Sequence, residues 1–181
     1  MGWLHDIILR KFNSIAGTRY EEIIKAYENF FLTEEEMVIP EIESLLLAFD
    51  RFSCELPENV YEVLLSFRDA RVTAVYVIDE AVFRIIRETL GEAEAEEFKK
   101  KELAFAEKFL ETVEEKLRTL NINWERRIIF GDKSEYVMDA LENHDLLILS
   151  RHYGFETTKT HSISPVVFRI VQNVKKPVIV Y

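Results

Sequence analysis

The chain has 181 residues, a formal net charge of −10 at pH 7 and one cysteine. This length suffices for one well-buried core with an appended segment, but not for two ordinary domains. The acidic charge argues against nucleic acid as a partner, because phosphates require clustered Lys and Arg, and the one basic cluster, at 98–102, lies in an acidic segment. We predict a cytoplasmic protein without membrane contact for three reasons. Cys54 is the lone cysteine, no run approaches the ~20 apolar residues that span a bilayer, and the N-terminus is a poor signal peptide.

Two amphipathic helices are predicted in the first 40 residues. Apolar residues recur at spacings of three and four through 3–15, and a second such stripe follows Thr18, which begins a capping-box pattern. The acidic segment that follows is typical of a linker. We therefore predict an N-terminal helical extension over residues 1–40 and an α/β domain over residues 41–181.

From residue 44 onward, short apolar runs alternate with stretches of helical spacing. Residues 81–119 have helical spacing, and Gly91 is expected to divide them into two helices. Ser164 and Pro165 have the chemistry of an N-cap and a first helical position. Five strands are predicted, at 44–50, 71–79, 122–130, 145–150 and 176–181. This order predicts a Rossmann-like α/β fold with a five-stranded, doubly wound parallel sheet.

Five segments in this order resemble the universal stress protein family over about residues 43–181. They are LLLAFD, which ends at Asp50; AVYVID; FGDKSEYVMDAL, which contains Gly131; DLLILSR, which ends in Ser150 and Arg151; and KPVIVY. The resemblance implies that adenine nucleotides, where bound, lie in a crevice between the first and fourth strands. It also implies that the carboxylate matching Asp50 lies near the adenine and ribose. Ligands of open α/β sheets do bind beyond the carboxyl ends of the strands.

The loop that would hold the phosphates departs from the pattern of ATP-binding members. That pattern has a glycine, two residues, a second glycine, nine residues, and a glycine followed by Ser or Thr. Leu149, His152 and Ser164 stand at the three glycine positions, the segment 153–163 is two residues longer than the pattern, and Gly154 is out of register. At about 1 kcal/mol for each lost glycine, we expect ATP affinity to fall roughly a hundredfold.

The strand ends still offer candidate ligand-binding residues. Asp50 can orient a ribose or adenine, or it can cap the turn after its strand. Arg51 and Arg151 can face each other across the crevice and bind an anion beside a helix N-terminus, or form a salt bridge with Asp50. A ligand here would be an anion or an adenosine-like molecule. The full candidate set is Asp50, Arg51, Val77, Gly131, Ser150, Arg151 and Ser164.

No pattern indicates catalysis or a metal. His144, His152 and His161 lack metal-ligand spacing, and Ser150 lacks a nucleophile elbow. We expect no catalytic residue, metal or cofactor, with adenine nucleotide left open by the resemblance. The favoured interpretation is a non-enzymatic binding or regulatory module without ATP. The alternatives are an adenine-nucleotide-binding stress protein with at most slow hydrolysis, and a structural adaptor whose crevice is filled by its own side chains.

The C-terminal strand indicates self-association. Val178, Ile179 and Val180 form a flat apolar run that is expected at a sheet edge, where unpaired backbone groups invite a partner strand. The resemblance also implies pairing through this strand. The apolar stripes within residues 1–40 need a partner surface as well. We therefore predict a homodimer that uses the final strand and the N-terminal helices, with the alternative that those helices fold back on their own subunit.

Overall fold

The computed structural model of the protein describes residues 41–157 and 162–181, so the predicted N-terminal helices lie outside the described residues. Its strands are β1 (Ser44–Phe49), β2 (Arg71–Asp79), β3 (Trp124–Gly131), β4 (Leu146–Leu149) and β5 (Val178–Val180). Its helices are α1 (Glu58–Ser66), α2 (Glu80–Leu90), α3 (Glu92–Thr119), α4 (Lys133–Leu141) and α5 (Pro165–Asn173). Within this part of the chain, no helix combines the length and apolar character that crossing a membrane requires.

The strands form one parallel sheet in the order β3-β2-β1-β4-β5. The chain moves outward from β1 to β3, and then crosses back to place β4 on the other side of β1. The strand order therefore reverses between β1 and β4, and this reversal is the topological switch point of a doubly wound sheet. The predicted fold class is confirmed.

Strand β1 lies at the centre of the sheet and is buried on both faces. Leu45, Leu47 and Phe49 pack into a core shared with α1 and α3, whereas Leu46 and Ala48 pack into a second core shared with α4 and α5. Burial of each leucine or phenylalanine of this strand stabilises the fold by about 1.5–3 kcal/mol. Because side chains alternate along a strand, the next residue after Phe49 emerges on the side of α4 and α5.

Gly91 separates α2 from α3, as predicted. Its φ of +113° lies in a region that favours glycine, and its N–H donates to the Arg87 carbonyl at 3.1 Å to close α2. Helix α3 then runs for 28 residues, or about 42 Å at the rise of an α-helix.

The two edges of the sheet differ in chemistry. Strand β3 is eight residues long and carries Glu125, Arg126 and Arg127, with an ion pair between Arg127 and Glu125 at 2.8 Å. Strand β5 has only three residues, all apolar. Charged side chains protect an edge against pairing with another chain, so β5 is the less protected edge.

Candidate ligand-binding site

The crevice at the carboxyl ends of β1 and β4 contains the buried carboxylate of Asp50. Its side chain is 0% exposed. One oxygen, Oδ1, accepts hydrogen bonds from the Ser53 hydroxyl at 2.6 Å and from the Phe52 N–H at 3.2 Å. The other, Oδ2, accepts the Gly154 N–H at 2.8 Å and lies 2.8 Å from the Lys133 ammonium. Four donors from three chain segments therefore satisfy this carboxylate.

Lys133 is the first residue of α4, and its side chain is only 7% exposed. Its ammonium lies 2.8 Å from Asp50 and 3.5 Å from Asp79, so it joins the ends of β1 and β2. The ring centroid of Phe52 lies 4.9 Å from the same ammonium and covers it from outside. A buried ammonium needs such partners, because desolvation of an isolated charge is costly.

Gly154 ties the loop between β4 and α5 to this cluster. Its φ is +86°, and a Cβ atom at this position would lie 2.4 Å from the Cβ of Val166. The glycine therefore lets the loop pass close against α5 while its N–H reaches Asp50. Next to it, Phe155 contacts Phe52 with ring centroids 6.3 Å apart, which adds an apolar contact between the same two loops.

The backbone N–H groups around Gly154 also bond within the protein. Three of these bonds lie within the loop: the His152 N–H donates to Ser150 Oγ (3.2 Å), the Tyr153 N–H to the Ser150 carbonyl (2.9 Å) and the Phe155 N–H to the His152 carbonyl (3.2 Å). Two more bonds hold its ends: the Arg151 N–H donates to the Tyr181 carbonyl (2.8 Å), and the Ser164 N–H donates to the Arg151 carbonyl (2.8 Å). In a phosphate-binding loop such groups point at the ligand. Here they hold the loop in its own conformation.

Ser164 caps α5 as predicted, and it also holds the loop. Its hydroxyl accepts the Val167 N–H at 3.2 Å and donates to the Tyr153 carbonyl. The Tyr153 phenol is fully buried and donates to the Lys133 carbonyl at 3.1 Å. Burial, together with the nearby charge of Asp50, holds the pKa of Tyr153 well above its ordinary value, so the phenol remains a donor.

Arg51 does not occupy the position predicted for it. Its guanidinium lies 3.4 Å from the Glu102 carboxylate and 4.2 Å from the ring centroid of Phe105, both on α3. The expectations that Arg51 faces Arg151 and that an arginine pairs with Asp50 are therefore wrong. Arg51 follows Asp50 along the chain and turns to the opposite side of the sheet, where Glu102 and Phe105 provide a carboxylate and an aromatic face.

The other predicted residues surround the crevice without forming one open surface. Val77 is buried in the core beside α4 and α5, and Gly131 ends β3 opposite Asp79. Ser150 is buried and bonds within the loop, while Arg151 is exposed and its Nε lies 3.2 Å from Nε2 of His152. The structure thus brings together Asp50, Lys133, Ser53 and Gly154, whose joint role the sequence analysis did not predict.

The crevice carries an excess of negative charge. Asp79 and Asp132 cap α2 and α4 at the same edge of the sheet as Asp50, and the Lys133 ammonium contacts Asp50 and Asp79. Burial raises the pKa of Asp132, but hydrogen bonds from the Glu135 N–H and from Ser134 outweigh burial and hold that pKa below its ordinary value. Ionised carboxylates at this edge repel phosphate groups.

His144 and His152 bond within the protein, and the described residues contain no metal-binding group. Nδ1 of His144 donates to the Ala140 carbonyl at 2.7 Å, and its Nε2 lies 3.0 Å from the Thr73 hydroxyl. His152 contacts Thr157 through its Nδ1 at 2.8 Å. Over residues 41–157 and 162–181, no cluster of three or more His, Cys, Asp or Glu side chains could hold a metal ion. His161 lies outside these ranges.

Cys54 is expected to react slowly with thiol reagents. Burial and the neighbouring Asp50 charge raise its pKa to about 11, and its thiol donates to the Asp50 carbonyl at 2.9 Å. At pH 8 the thiolate, which is the reactive form, should therefore be roughly a hundredfold rarer than in an unperturbed cysteine. We expect the rate with a chromogenic disulfide to rise about tenfold per pH unit between pH 8 and pH 10. A rate equal to that of a free cysteine at pH 8 would contradict this assignment.

Comparison with known proteins identifies the fold. No model of a known protein family matches the chain, and no curated protein matches its sequence. Among solved structures, the universal stress protein UspA from Lactobacillus plantarum is 16% identical, with a TM-score of 0.63 over 78% of this chain and 99% of that chain. A hypothetical protein whose biochemical function was assigned from its structure is 22% identical, with a TM-score of 0.63 over 77% of this chain and 94% of that chain.

A third similar structure is a universal stress protein in complex with cAMP. It is 11% identical to this chain, with a TM-score of 0.51 over 78% of this chain and 98% of that chain. The chain thus has the universal stress protein fold, and the resemblance found in its sequence is confirmed at the level of the fold.

Proposed function

We propose that this protein is a universal stress protein-like binding or regulatory module that acts in the cytoplasm, catalyses no reaction and does not use ATP. The observation that carries the proposal is the hydrogen bond from the Gly154 N–H to the Asp50 carboxylate. In a nucleotide-binding loop, backbone N–H groups after the fourth strand would serve the phosphates, and the carboxylate would serve the nucleoside. Here the two groups bind each other, which leaves neither available.

The side chains that fill the crevice support the same proposal. The Lys133 ammonium lies between Asp50 and Asp79, and Phe52 with Phe155 covers it. A nucleotide would have to break the ion pair with Asp50, separate the two aromatic rings and bring phosphates beside carboxylates. Each of these steps costs free energy that the bound nucleotide would have to offset. The filled crevice therefore supports a module that does not use ATP, and it is also what the structural-adaptor alternative expects.

We expect Mg-ATP to bind no tighter than roughly submillimolar. Titration calorimetry on the full chain measures the affinity, and extraction of denatured protein shows whether nucleotide copurifies. A micromolar dissociation constant, or stoichiometric nucleotide in the extract, would overturn the proposal.

The alternative is an adenine-nucleotide-binding module, and one structural neighbour favours it by holding cAMP. Cyclic AMP carries one negative charge, so it is repelled by the carboxylates less strongly than ATP. The same calorimetric experiment with cAMP and AMP separates the two functions. Binding of either at micromolar concentration, with Asp50→Ala abolishing it, would establish the alternative.

We propose further that the protein forms a homodimer through β5. Among the described residues, no strand pairs with the outer edge of β5. On α5, Arg169 lies 3.9 Å from Glu135 of α4, whereas Phe168 and Val171 are exposed apolar residues of the same helix. The open edge of β5 and the exposed apolar residues of α5 are the surfaces that we expect a second copy to cover.

Two substitutions test the dimer. Pro177 and Tyr181 bond to β4, so the alternating Val180 N–H points away from β4 to the open edge. Val180→Pro should therefore remove a hydrogen-bond donor from that edge and keep the pairing with β4. We expect Val180→Pro and Phe168→Glu to shift the light-scattering mass from dimer to monomer. Leu65→Glu is the control, because Leu65 is a comparably exposed apolar residue on α1. A full-length monomer across micromolar concentrations would rule the dimer out, and a chain that begins at residue 41 would test the role of the N-terminal segment.

A further inference from the structure

The four donors around Asp50 form a complete binding site for a carboxylate. Two of them, the Lys133 ammonium and the Gly154 N–H, converge on Oδ2, and the Ser53 hydroxyl and the Phe52 N–H converge on Oδ1. They include one cation, two backbone donors and one hydroxyl, and they serve both oxygens of the group. Charge-assisted hydrogen bonds of this kind are about twice as strong as bonds between neutral groups.

Different parts of the chain supply these donors. Phe52 and Ser53 belong to the loop after β1, Lys133 begins α4, and Gly154 lies in the loop after β4. The Asp50 carboxylate accepts a hydrogen bond or ion pair from all three segments at once. Hydrogen bonds of the Tyr153 and Phe155 N–H groups hold the loop on both sides of Gly154, and Asp79 also contacts the Lys133 ammonium, so these two donors have supports other than the Asp50 carboxylate.

We propose that the end of β1 is a small-carboxylate site whose occupant in the closed crevice is the Asp50 side chain. Asp50 acts as a tethered ligand that satisfies all four donors. The site accepts a planar group with two oxygens and one negative charge, such as formate or acetate. A tetrahedral phosphate is larger than the space that a buried carboxylate vacates, and its second charge would lie near Asp79.

The carboxylate site deepens the proposed function, because it explains why the crevice is closed. Its role in the native protein rests on the proposed function. The two have separate tests. Tight ATP binding by the native chain would sink the proposed function and leave the carboxylate site standing. Failure of the experiment below would remove the carboxylate site and leave the nucleotide result unchanged.

The experiment uses the full chain with Asp50→Ala, which removes the tethered carboxylate and keeps all four donors. Thermal unfolding is measured in formate, acetate, inorganic phosphate and chloride at matched ionic strength. We expect formate and acetate to raise the Tm of Asp50→Ala saturably, beyond any rise in chloride. The dissociation constant should be about 1 mM or weaker, because formate has few atoms with which to bind. The native protein reports the nonspecific effect of each salt, so the response of Asp50→Ala is measured as the excess over the native response in the same salt.

Two further variants locate the effect. Adding Lys133→Met to Asp50→Ala should abolish the response to formate, because the ammonium is the charged member of the four donors. Glu156→Ala, at an exposed carboxylate of the same loop, should respond like the native chain. A Tm for Asp50→Ala that rises no more in formate than in chloride would overturn the proposal. An equal response to phosphate would overturn its carboxylate selectivity.

If Asp50→Ala does not fold in chloride, refolding from denaturant replaces thermal unfolding. Recovery of the native circular dichroism signal in formate, but not in chloride, supports the site. Equal failure in both salts refutes it, because a preformed set of donors should gain free energy from the added anion.

Discussion

Replacing Lys133 with Met is expected to lower the free energy of unfolding by about 3–5 kcal/mol, because it leaves the buried Asp50 carboxylate without its cation. Methionine has nearly the length of the lysine stem, so packing under Phe52 is largely kept and the loss reports the charge. Denaturant unfolding followed by circular dichroism measures the change.

A double variant provides the matched control. Asp50→Asn with Lys133→Met removes both charges and keeps the shapes, and replacing a whole buried ion pair is often close to neutral. We therefore expect the double variant to be more stable than Lys133→Met alone. If Lys133→Met lowers the free energy of unfolding by less than about 1 kcal/mol, the effect is no larger than that of an exposed ion pair. The ammonium would then not be a structural partner of Asp50.

Gly154→Ala is expected to destabilise the protein by about 3 kcal/mol or more. A φ of +86° is strained for alanine, and its Cβ would lie 2.4 Å from the Val166 Cβ. Relief of that clash requires the loop to move away from α5, which lengthens the Gly154 hydrogen bond to Asp50. Thermal and denaturant unfolding measure the loss.

Gly131→Ala is the control for this substitution. Nothing lies within 4 Å of a Cβ built on Gly131, and its backbone is not in the region that favours glycine. We expect its stability to stay within about 0.5 kcal/mol of the native value. If the two alanine variants lost equal free energy of unfolding, the close approach of Gly154 to Val166 would not explain the effect.

The fold could be predicted because its local signals agree with its topology. Leu45 to Phe49 form a continuous apolar run because β1 is buried on both faces, and Gly91, Ser164 and Pro165 mark helix ends through their own backbone chemistry. None of these signals depends on residues far along the chain. Only the helices predicted within residues 1–40 fall outside this comparison.

The site could be predicted only in part, because its contacts join distant segments. Asp50 was found because it follows a buried strand, but nothing near it in sequence indicates Lys133. A weak signal does exist at Lys133: a lysine in the first turn of a helix is unfavourable beside the positive end of the helix dipole, which suggests that a carboxylate compensates for it.

Arg51 was misplaced for a similar reason. Glu102 lies on the apolar stripe of α3 between Phe98 and Phe105, and a carboxylate on such a stripe needs a cationic partner. That partner is Arg51, at 3.4 Å. The sequence contained the unpaired acid, but only the packing of α3 against the sheet shows which base lies beside it.

The hydrogen bond between Asp50 and Gly154 can form only late in the synthesis of the chain. The two residues are separated by 104 positions, and β1 likewise pairs with a strand, β4, about a hundred residues further on. A chain growing from its N-terminus therefore synthesises Asp50 long before its last donor exists. During translation β1 can pair with β2 but has an open flank, and its carboxylate faces water or a chaperone until the β4 segment has emerged. Such late, non-local closure slows folding and exposes an apolar strand meanwhile, so the nascent chain, more than the finished protein, is the form most in need of protection.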